Sequence, residues 1–394
     1  MHTQNTPVHV NLWHKDFWLL ALSNMFLSFS VYMFIPVMPL FINSLGLSDL
    51  CVAAMTGAYC LGLFSSGSFA SYLVQHRQRS NVCVLFILFM AVCFSAAYYL
   101  QRCYNLHTNW VLATIIALCF VFGSVYSMAH ITLASTLIVD KCESFLRTEA
   151  NHSAAWFFRF SLSLGPILSI LLYSRYSIGA VCLIAVICCC LALLCIKIVN
   201  FPFKAPEDNT RLFSLDRFFL PQGIWLFINQ AIIMFAVGLI LSHYADISFY
   251  CILMLGFFLA LLSQKFVFVN AELRSEILTG LLFIACALLL MLCRKGGIVG
   301  LLIPVFIGLG IGITGARFLL FFLKLGNHCQ RGTSQSTFFL SWESGLAAGL
   351  AGGYSLQYNG KESIACYIAL VAIALAFIMY QFFTHTWYIN HKNR

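Results

Sequence analysis

Charge is what this sequence has least of. Lysine, arginine, aspartate and glutamate make up 9% of its 394 residues, against about a quarter in an average soluble domain. So few charges cannot cover a water-facing surface of that size, which excludes a large soluble core. Signatures of catalysis and metal binding are missing as well. There is no P-loop, no nucleophile elbow, no H-E-x-x-H pattern and no C-x-x-C pair with histidines at zinc spacing. The polar stretches are too short for a soluble catalytic or ATP-hydrolysing domain, so neither an enzyme nor a cofactor is expected. No small-residue cleavage site follows the first apolar segment, which argues against a removed signal peptide. The 17 cysteines lie mostly inside apolar runs, as at Cys188, Cys189 and Cys190. There they act as small hydrophobes and not as a disulfide framework.

What the chain has is apolar length: 61% of its residues are hydrophobic. A bilayer core of roughly 30 Å needs about 20 apolar residues in a helix, and lipid forces every backbone group to be satisfied within the segment. Apolar runs between polar breaks predict twelve helices. The first six lie near 17–43, 50–75, 81–100, 110–138, 153–173 and 177–199; the second six near 218–242, 247–264, 276–293, 297–323, 334–356 and 363–386. The longest polar interruption runs from Asn200 to Arg217 and contains Pro202, Pro206, Glu207 and Asp208, a linker composition. The expected architecture is an all-α polytopic membrane protein of two pseudo-symmetric six-helix bundles, 1–200 and 218–394, joined by a linker at 201–217.

Loop cations set the expected orientation. If both termini are cytoplasmic, the outer loops carry Arg102, Arg175, Arg294, Lys295 and Lys361, while fifteen lysines and arginines fall on the inner side. The net charge of +9 is then mainly a topology signal, and nucleic-acid binding is not expected. Asn151-His152-Ser153 fits a glycosylation pattern but falls on the inner side.

An internal repeat agrees with the two-bundle division. Arg147, Arg159 and Gly165 on helix five are matched 184 positions later by Arg331, Glu343 and Gly349 on helix eleven; Asn151 matches Gln335, Ser153 matches Thr337, and Phe158 falls opposite Trp342. Two parallel repeats related across the membrane would give this pattern.

Pro36 and Pro39 on helix one, followed by Leu45-Gly46-Leu47-Ser48, resemble the first extracellular turn of the major facilitator superfamily. Ser161, Gly165-Pro166 and Ser169 on helix five are similar to that family's antiporter motif, with serine at two glycine places. The loop after helix two departs from the family pattern: Ser71, Gln75 and Gln78 stand where glycine, aspartate and glycine are usual, and Arg79 alone is kept. Helix four lacks the family's coupling arginine, and His130 is its one ionisable residue. The resemblance spans essentially the whole chain. It implies two bundles rocking about a central cavity lined by helices one, four, seven and ten, with two, five, eight and eleven at the bundle interface. Arg79, Arg147 and Arg331, at the cytoplasmic ends, become candidates for gating.

Three charges do not fit a loop or helix end: Arg159 in helix five, Arg317 in helix ten and Glu343 in helix eleven. A charge near the bilayer centre costs at least about 2.5–3.5 kcal/mol on insertion scales, so these must face protein or a water-filled cavity. Two readings stand open for them: a substrate or proton site, or fixed ion pairs of Glu343 with Arg159 or Arg317. Two cations against one anion favour an anionic or amphiphilic substrate. Asn24 and Tyr32 on helix one, Tyr126 and His130 on helix four, and Asn229 and Gln230 on helix seven are further candidates to bind ligand. Interhelical hydrogen bonding is the commoner use of such residues. Trp156 precedes Arg159 by three positions and Trp342 adjoins Glu343, so both are candidate cavity walls.

Together these readings predict a secondary active transporter of the plasma membrane, of bacterial inner-membrane type from its compact loops. It would act as a monomer on a small organic solute by alternating access without ATP. The helix-five motif favours efflux, and a proton carried by Glu343 is the candidate coupling ion. The alternatives are a non-transporting receptor or scaffold and a lipid-translocating protein of the same fold.

Overall fold

The computed structural model describes residues 11–44, 46–103, 108–201, 211–293, 297–327 and 330–392. Leu45, the linker residues Pro202, Lys204, Pro206, Glu207 and Asp208, the loop cations Arg294 and Lys295, and Arg394 lie outside the described residues, as does the side chain of Arg102. Among the described residues twelve long helices follow one another: α1 Lys15–Ser44, α2 Asp49–His76, α3 Arg79–Cys103, α4 108–140, α5 Arg147–Arg175, α6 Ile178–Ile198, α7 Pro221–Leu241, α8 Ile247–Phe266, α9 Leu273–Cys293, α10 Ile298–Leu325, α11 Arg331–Tyr358 and α12 362–391. Among the described residues there is no strand.

Eleven of the twelve are long and apolar enough to cross a membrane. The exception is α11, whose 28 residues carry Ser334, Gln335, Ser336, Thr337, Ser341, Glu343 and Ser344. All of these side chains are buried. A helix too polar for lipid is stable here because protein surrounds it. Large exposed hydrophobics such as Leu85, Val92, Leu183, Leu194, Val371 and Ile378 sit instead on the outer faces of α3, α6 and α12, where a bilayer solvates them.

The packing repeats. In the first half α1 packs on α5 and α6, α2 on α4, and α3 on α4 and α6. In the second half α7 packs on α11 and α12, α8 on α10, and α9 on α10 and α12. Adding six to each helix number turns the first set into the second. The α2–α4 crossing brings Gly62 against Gly123 and the α8–α10 crossing brings Gly256 against Gly308. At each a Cβ would fall within 2.1–2.5 Å of a carbonyl oxygen on the facing helix. Small residues permit such backbone contact in membrane helices. The largest contacts that join the halves are α2 with α11 and α5 with α8, and these too are related by the shift of six; α4 with α11 and α5 with α10 add smaller ones.

Four departures from regular helix mark the bundle. α1 breaks at Met33 between its segments Lys15–Tyr32 and Phe34–Ser44. The cause is Pro36, which has no N–H to give Tyr32 and crowds that residue's carbonyl. In the same way Pro39 leaves the Ile35 carbonyl without a helical donor, and the Tyr354 hydroxyl of α11 donates to it at 2.8 Å. Finally, α4 widens into a π-turn at Leu133–Leu137, three residues beyond His130, and α12 does so at Tyr380–Thr384.

The helices begin and end where the sequence predicts, with shifts of a few residues. The largest shift is in α5, which starts at Arg147 and not near 153 because the polar first turns extend as helix into the loop region.

Candidate functional site

Where α1, α2, α4 and α11 meet, the Glu343 carboxylate collects three phenol groups. The Tyr32 hydroxyl donates to Oε1 at 2.5 Å, the Tyr59 hydroxyl to Oε2 at 3.1 Å, and the Tyr126 hydroxyl to Oε1 at 3.3 Å. Tyr126 also reaches the Ser28 hydroxyl at 3.3 Å. Glu343 is 1% exposed and twelve residues along α11, about 18 Å from its start at 1.5 Å per residue. The carboxylate is therefore near mid-membrane and held by neutral donors. None of the three ion pairs among the described residues involves it.

Above this carboxylate lies a cavity of about 140 Å³, walled by Val31, Phe34, Met38, Met55, Phe94, Phe122, Leu350 and Tyr354, among others, with Tyr32, Tyr59 and Glu343 at its polar end. Its lining comes from the later parts of α1, α3 and α11 and the early parts of α2 and α4. It therefore occupies the half of the molecule away from the end that holds Lys15, Lys141 and Arg331. No basic side chain lines it.

At that basic end the two halves are pressed together. Arg331 donates to the Ser144 carbonyl at 2.8 Å, and Asp216 of the linker accepts from Thr333 of α11 at 3.2 Å and from Ser71 of α2 at 3.5 Å. A Cβ on Gly332 would meet the Ser135 carbonyl of the α4 π-turn at 2.7 Å. Arg79 pairs with Asp140, fastening α3 to α4 within the first half. Of the three proposed gating arginines, Arg331 thus bridges the halves and Arg79 braces one of them. Arg147 is half-buried at the head of α5.

The other intramembrane charges do not pair as the sequence allowed. Arg317 forms a two-pronged ion pair with Glu276 on α9. Glu276 is a fully buried carboxylate in the first turn of that helix, a helix-end position that kept it out of the three charges singled out from the sequence. Arg159 is 0% exposed, and none of its three nitrogens has a hydrogen-bond partner among the described residues. Its guanidinium lies 4.8 Å from the Trp156 ring centre and 6.0 Å from that of Phe338. Both ion pairs considered for Glu343 are therefore absent. Among the described residues the count of two cations against one anion becomes one cation without a hydrogen-bond partner, one hydroxyl-bound carboxylate and one neutralised pair.

The remaining candidates divide. Asn24 donates to the Ala154 carbonyl of α5 at 3.4 Å, and Asn229 to the Ala376 carbonyl of α12 at 3.2 Å, so both tie helices together. Gln230 is buried, and neither of its amide atoms has a partner among the described residues. The His130 ring is stacked 3.8 Å from Phe339 of α11, with Phe158 and Tyr126 edge-on; its nitrogens are likewise without partners there. Trp342 packs against Phe158 and Phe338 and does not line the cavity. Two functional candidates escaped the sequence reading, Tyr59 and Glu276. The signal for Tyr59 was a phenol near the middle of a helix assigned to the bundle interface.

The sequence matches the Major Facilitator Superfamily over residues 20–350. No curated protein matches it. Among solved structures the fold is similar to that of the human organic anion transporter MFSD10 (TETRAN), with a TM-score of 0.65 at 13% identity over 93% of this chain and 98% of that one. It is similar also to a bacterial homologue of the iron transporter ferroportin in an outward-facing state, with a TM-score of 0.65 at 14% identity over 94% and 99% of the two chains. The same homologue with soaked iron gives 0.63 at 15% identity over 94% and 98%. At these identities the likeness is one of fold.

Proposed function

Since the chain belongs to the Major Facilitator Superfamily and is a multi-pass membrane transporter, not an enzyme, we propose that it is a secondary active transporter of a small amphiphilic organic solute, coupled to protons through Glu343. The observation that carries this reading is the lone carboxylate at mid-membrane, bonded to three tyrosine hydroxyls at the polar end of an otherwise apolar cavity. A solute's hydrocarbon body suits those aromatic and aliphatic walls. A carboxylate with neutral donors and no fixed cation can exchange a proton without breaking an ion pair. The tyrosines come from α1, α2 and α4 and the carboxylate from α11, so Glu343 is bonded across the two halves. Its protonation state then biases how those halves sit against each other, which is the differential interaction that coupling requires.

With the basic end in the cytoplasm, as the cation distribution supports, the contacts of Arg331, Gly332 and Thr333 close the inner side and the cavity lies in the outer half. Both termini would then be cytoplasmic, in a plasma membrane. On α5, Ser161 donates to the Met25 carbonyl at 3.0 Å and Gly165 lies on the α1 backbone. The segment that resembles an antiporter motif thus packs α5 onto α1, which supports export. In proteoliposomes containing a pH-sensitive dye, addition of benzoate or ethidium as anionic and cationic amphiphiles is expected to evoke proton movement with the native protein. Glu343→Gln is expected to abolish that movement while leaving solute counterflow. Full dependence on a pH gradient in Glu343→Gln rejects the coupling role.

A further inference from the structure

Next to Arg159 along α5, the Phe158 ring is 5.8 Å from that of Tyr32 in the Glu343 cluster and 5.7 Å from that of Trp342. The transport reading above leaves this arginine unused. Its guanidinium is fully enclosed and has no acceptor among the described residues. An unpaired charge in such surroundings is costly, and proteins ordinarily supply a counterion or hydrogen-bond acceptors.

The neighbouring donors share the condition. The indole N–H groups of Trp156 and Trp342 are buried and also lack acceptors among the described residues. These groups form one cluster. Trp156 lies 4.8 Å under the guanidinium. Gly315 of α10 fits against both remaining members, since a Cβ there would fall 2.5 Å from the Trp342 ring and 3.4 Å from Arg159 Nε. Gly312, one turn earlier, faces the Trp156 ring at 3.5 Å in the same sense. Helices α5, α10 and α11 thus enclose a guanidinium and two indoles, all donors, and the nearby carboxylates are committed elsewhere, Glu276 to Arg317 and Glu343 to its tyrosines.

We infer that this cluster is a binding site for the carboxylate group of an apolar organic acid. A planar guanidinium presents paired N–H groups that match the two oxygens of a carboxylate. One free cation balances one negative charge. The surrounding rings of Trp156, Phe158, Phe338 and Trp342 suit an aryl or alkyl body and disfavour a strongly hydrated ion. α5 belongs to one half and α10 and α11 to the other, so relative movement of the halves would open and close the site. The inference deepens the transport reading and rests on it only in making the bound acid the transported solute.

Thermal unfolding of the purified full-length protein tests it, with millimolar sodium benzoate as the probe, benzamide as its uncharged counterpart, and chloride at equal ionic strength. A ligand that binds the folded state raises the melting temperature. Benzoate is expected to raise it, benzamide and chloride to leave it unchanged. Arg159→Gln should lose the benzoate shift. Should Arg159→Gln not fold, Arg159→Lys, which keeps the charge but not the paired N–H groups, is expected to show a reduced shift. The shift reads binding without transport, so its outcome is separate from that of the proton-coupling test. No benzoate shift in the native protein, an undiminished shift in Arg159→Gln or Arg159→Lys, or an equal shift with chloride overturns the assignment.

Discussion

Arg317 on α10 and Arg159 on α5 stand on helices that touch, inside the same membrane interior, yet their surroundings are opposite. The guanidinium of Arg317 meets a fully buried carboxylate, Glu276, with two hydrogen bonds, and both partners come from the same half of the molecule. Arg159 is more deeply enclosed but faces only rings and N–H groups, at the seam between the halves. A pair that completes itself within one rigid unit has little left to offer a ligand. A buried charge left incomplete costs stability unless a ligand completes it. On the reading we propose, the contrast separates a structural arginine from a ligand-binding one without reference to its position in the sequence.

Removing a charge should therefore have opposite consequences at the two places. Arg317→Gln leaves Glu276 charged, buried and without its partner, and losing one member of a buried pair costs about 3–5 kcal/mol. Arg159→Gln removes a charge that nothing in the fold compensates and is expected to change stability by less than about 1 kcal/mol in carboxylate-free buffer. The double change Arg317→Met with Glu276→Leu should recover most of what Arg317→Gln loses, because a matched apolar replacement removes both desolvated charges. Melting in detergent reads all three. Equal losses at Arg317 and Arg159 would show that Arg159 has a structural partner and end the contrast.

The helices that carry the central charges differ in how tightly they are held, which sharpens the same comparison. α11 is seated on α7 at Gly349, where a Cβ would fall 2.1 Å from the Phe235 carbonyl oxygen and 2.9 Å from Gly238 Cα. α5 is seated on α1 at the equivalent Gly165, where the nearest atom is the Phe29 carbonyl oxygen at 3.0 Å. Backbone cannot yield as a side chain can. Gly349→Ala should cost about 1–3 kcal/mol, and Gly165→Ala clearly less. Gly352→Ala, whose Cβ would meet only side chains at 3.5 Å or more, should be neutral or slightly stabilising through helix propensity. The reverse order in melting temperature would mean that α5, not α11, is the fixed member of the repeat.

Most of this architecture was legible because lipid imposes it. Twelve helices and the 184-residue repeat follow from backbone satisfaction and from the small residues that close packing needs. The burial of Arg159 and Glu343 was legible for the same reason, since neither can face hydrocarbon. Their partners were not. Which acid an arginine meets depends on helix rotation and crossing, and Glu276, placed by its position at the mouth of α9, gave no sign that the α9–α10 contact would enclose it. Tyr32 and Tyr126 stood out as phenols on polar faces. Tyr59 did not, because nothing along the sequence tells which face of α2 meets α11.

Glu343 offers the intermediate case between the paired and the unpaired arginine, a charge held by several neutral donors, and its loss should be graded. Tyr32 has the shortest bond, 2.5 Å, Tyr59 is at 3.1 Å, and Tyr126 is at 3.3 Å with Ser28 as a second partner at the same distance. Replacing any one by phenylalanine leaves two donors in place, so each change should cost about 1 kcal/mol, typical of one intramolecular hydrogen bond. The order should run Tyr32→Phe, then Tyr59→Phe, then Tyr126→Phe. The same order should appear in how far each change displaces the pH dependence of transport in proteoliposomes. A loss from any single tyrosine as large as that of Arg317→Gln would mean the cluster acts as one indivisible unit, and the carboxylate would then resemble a structural pair more than a group able to exchange its proton.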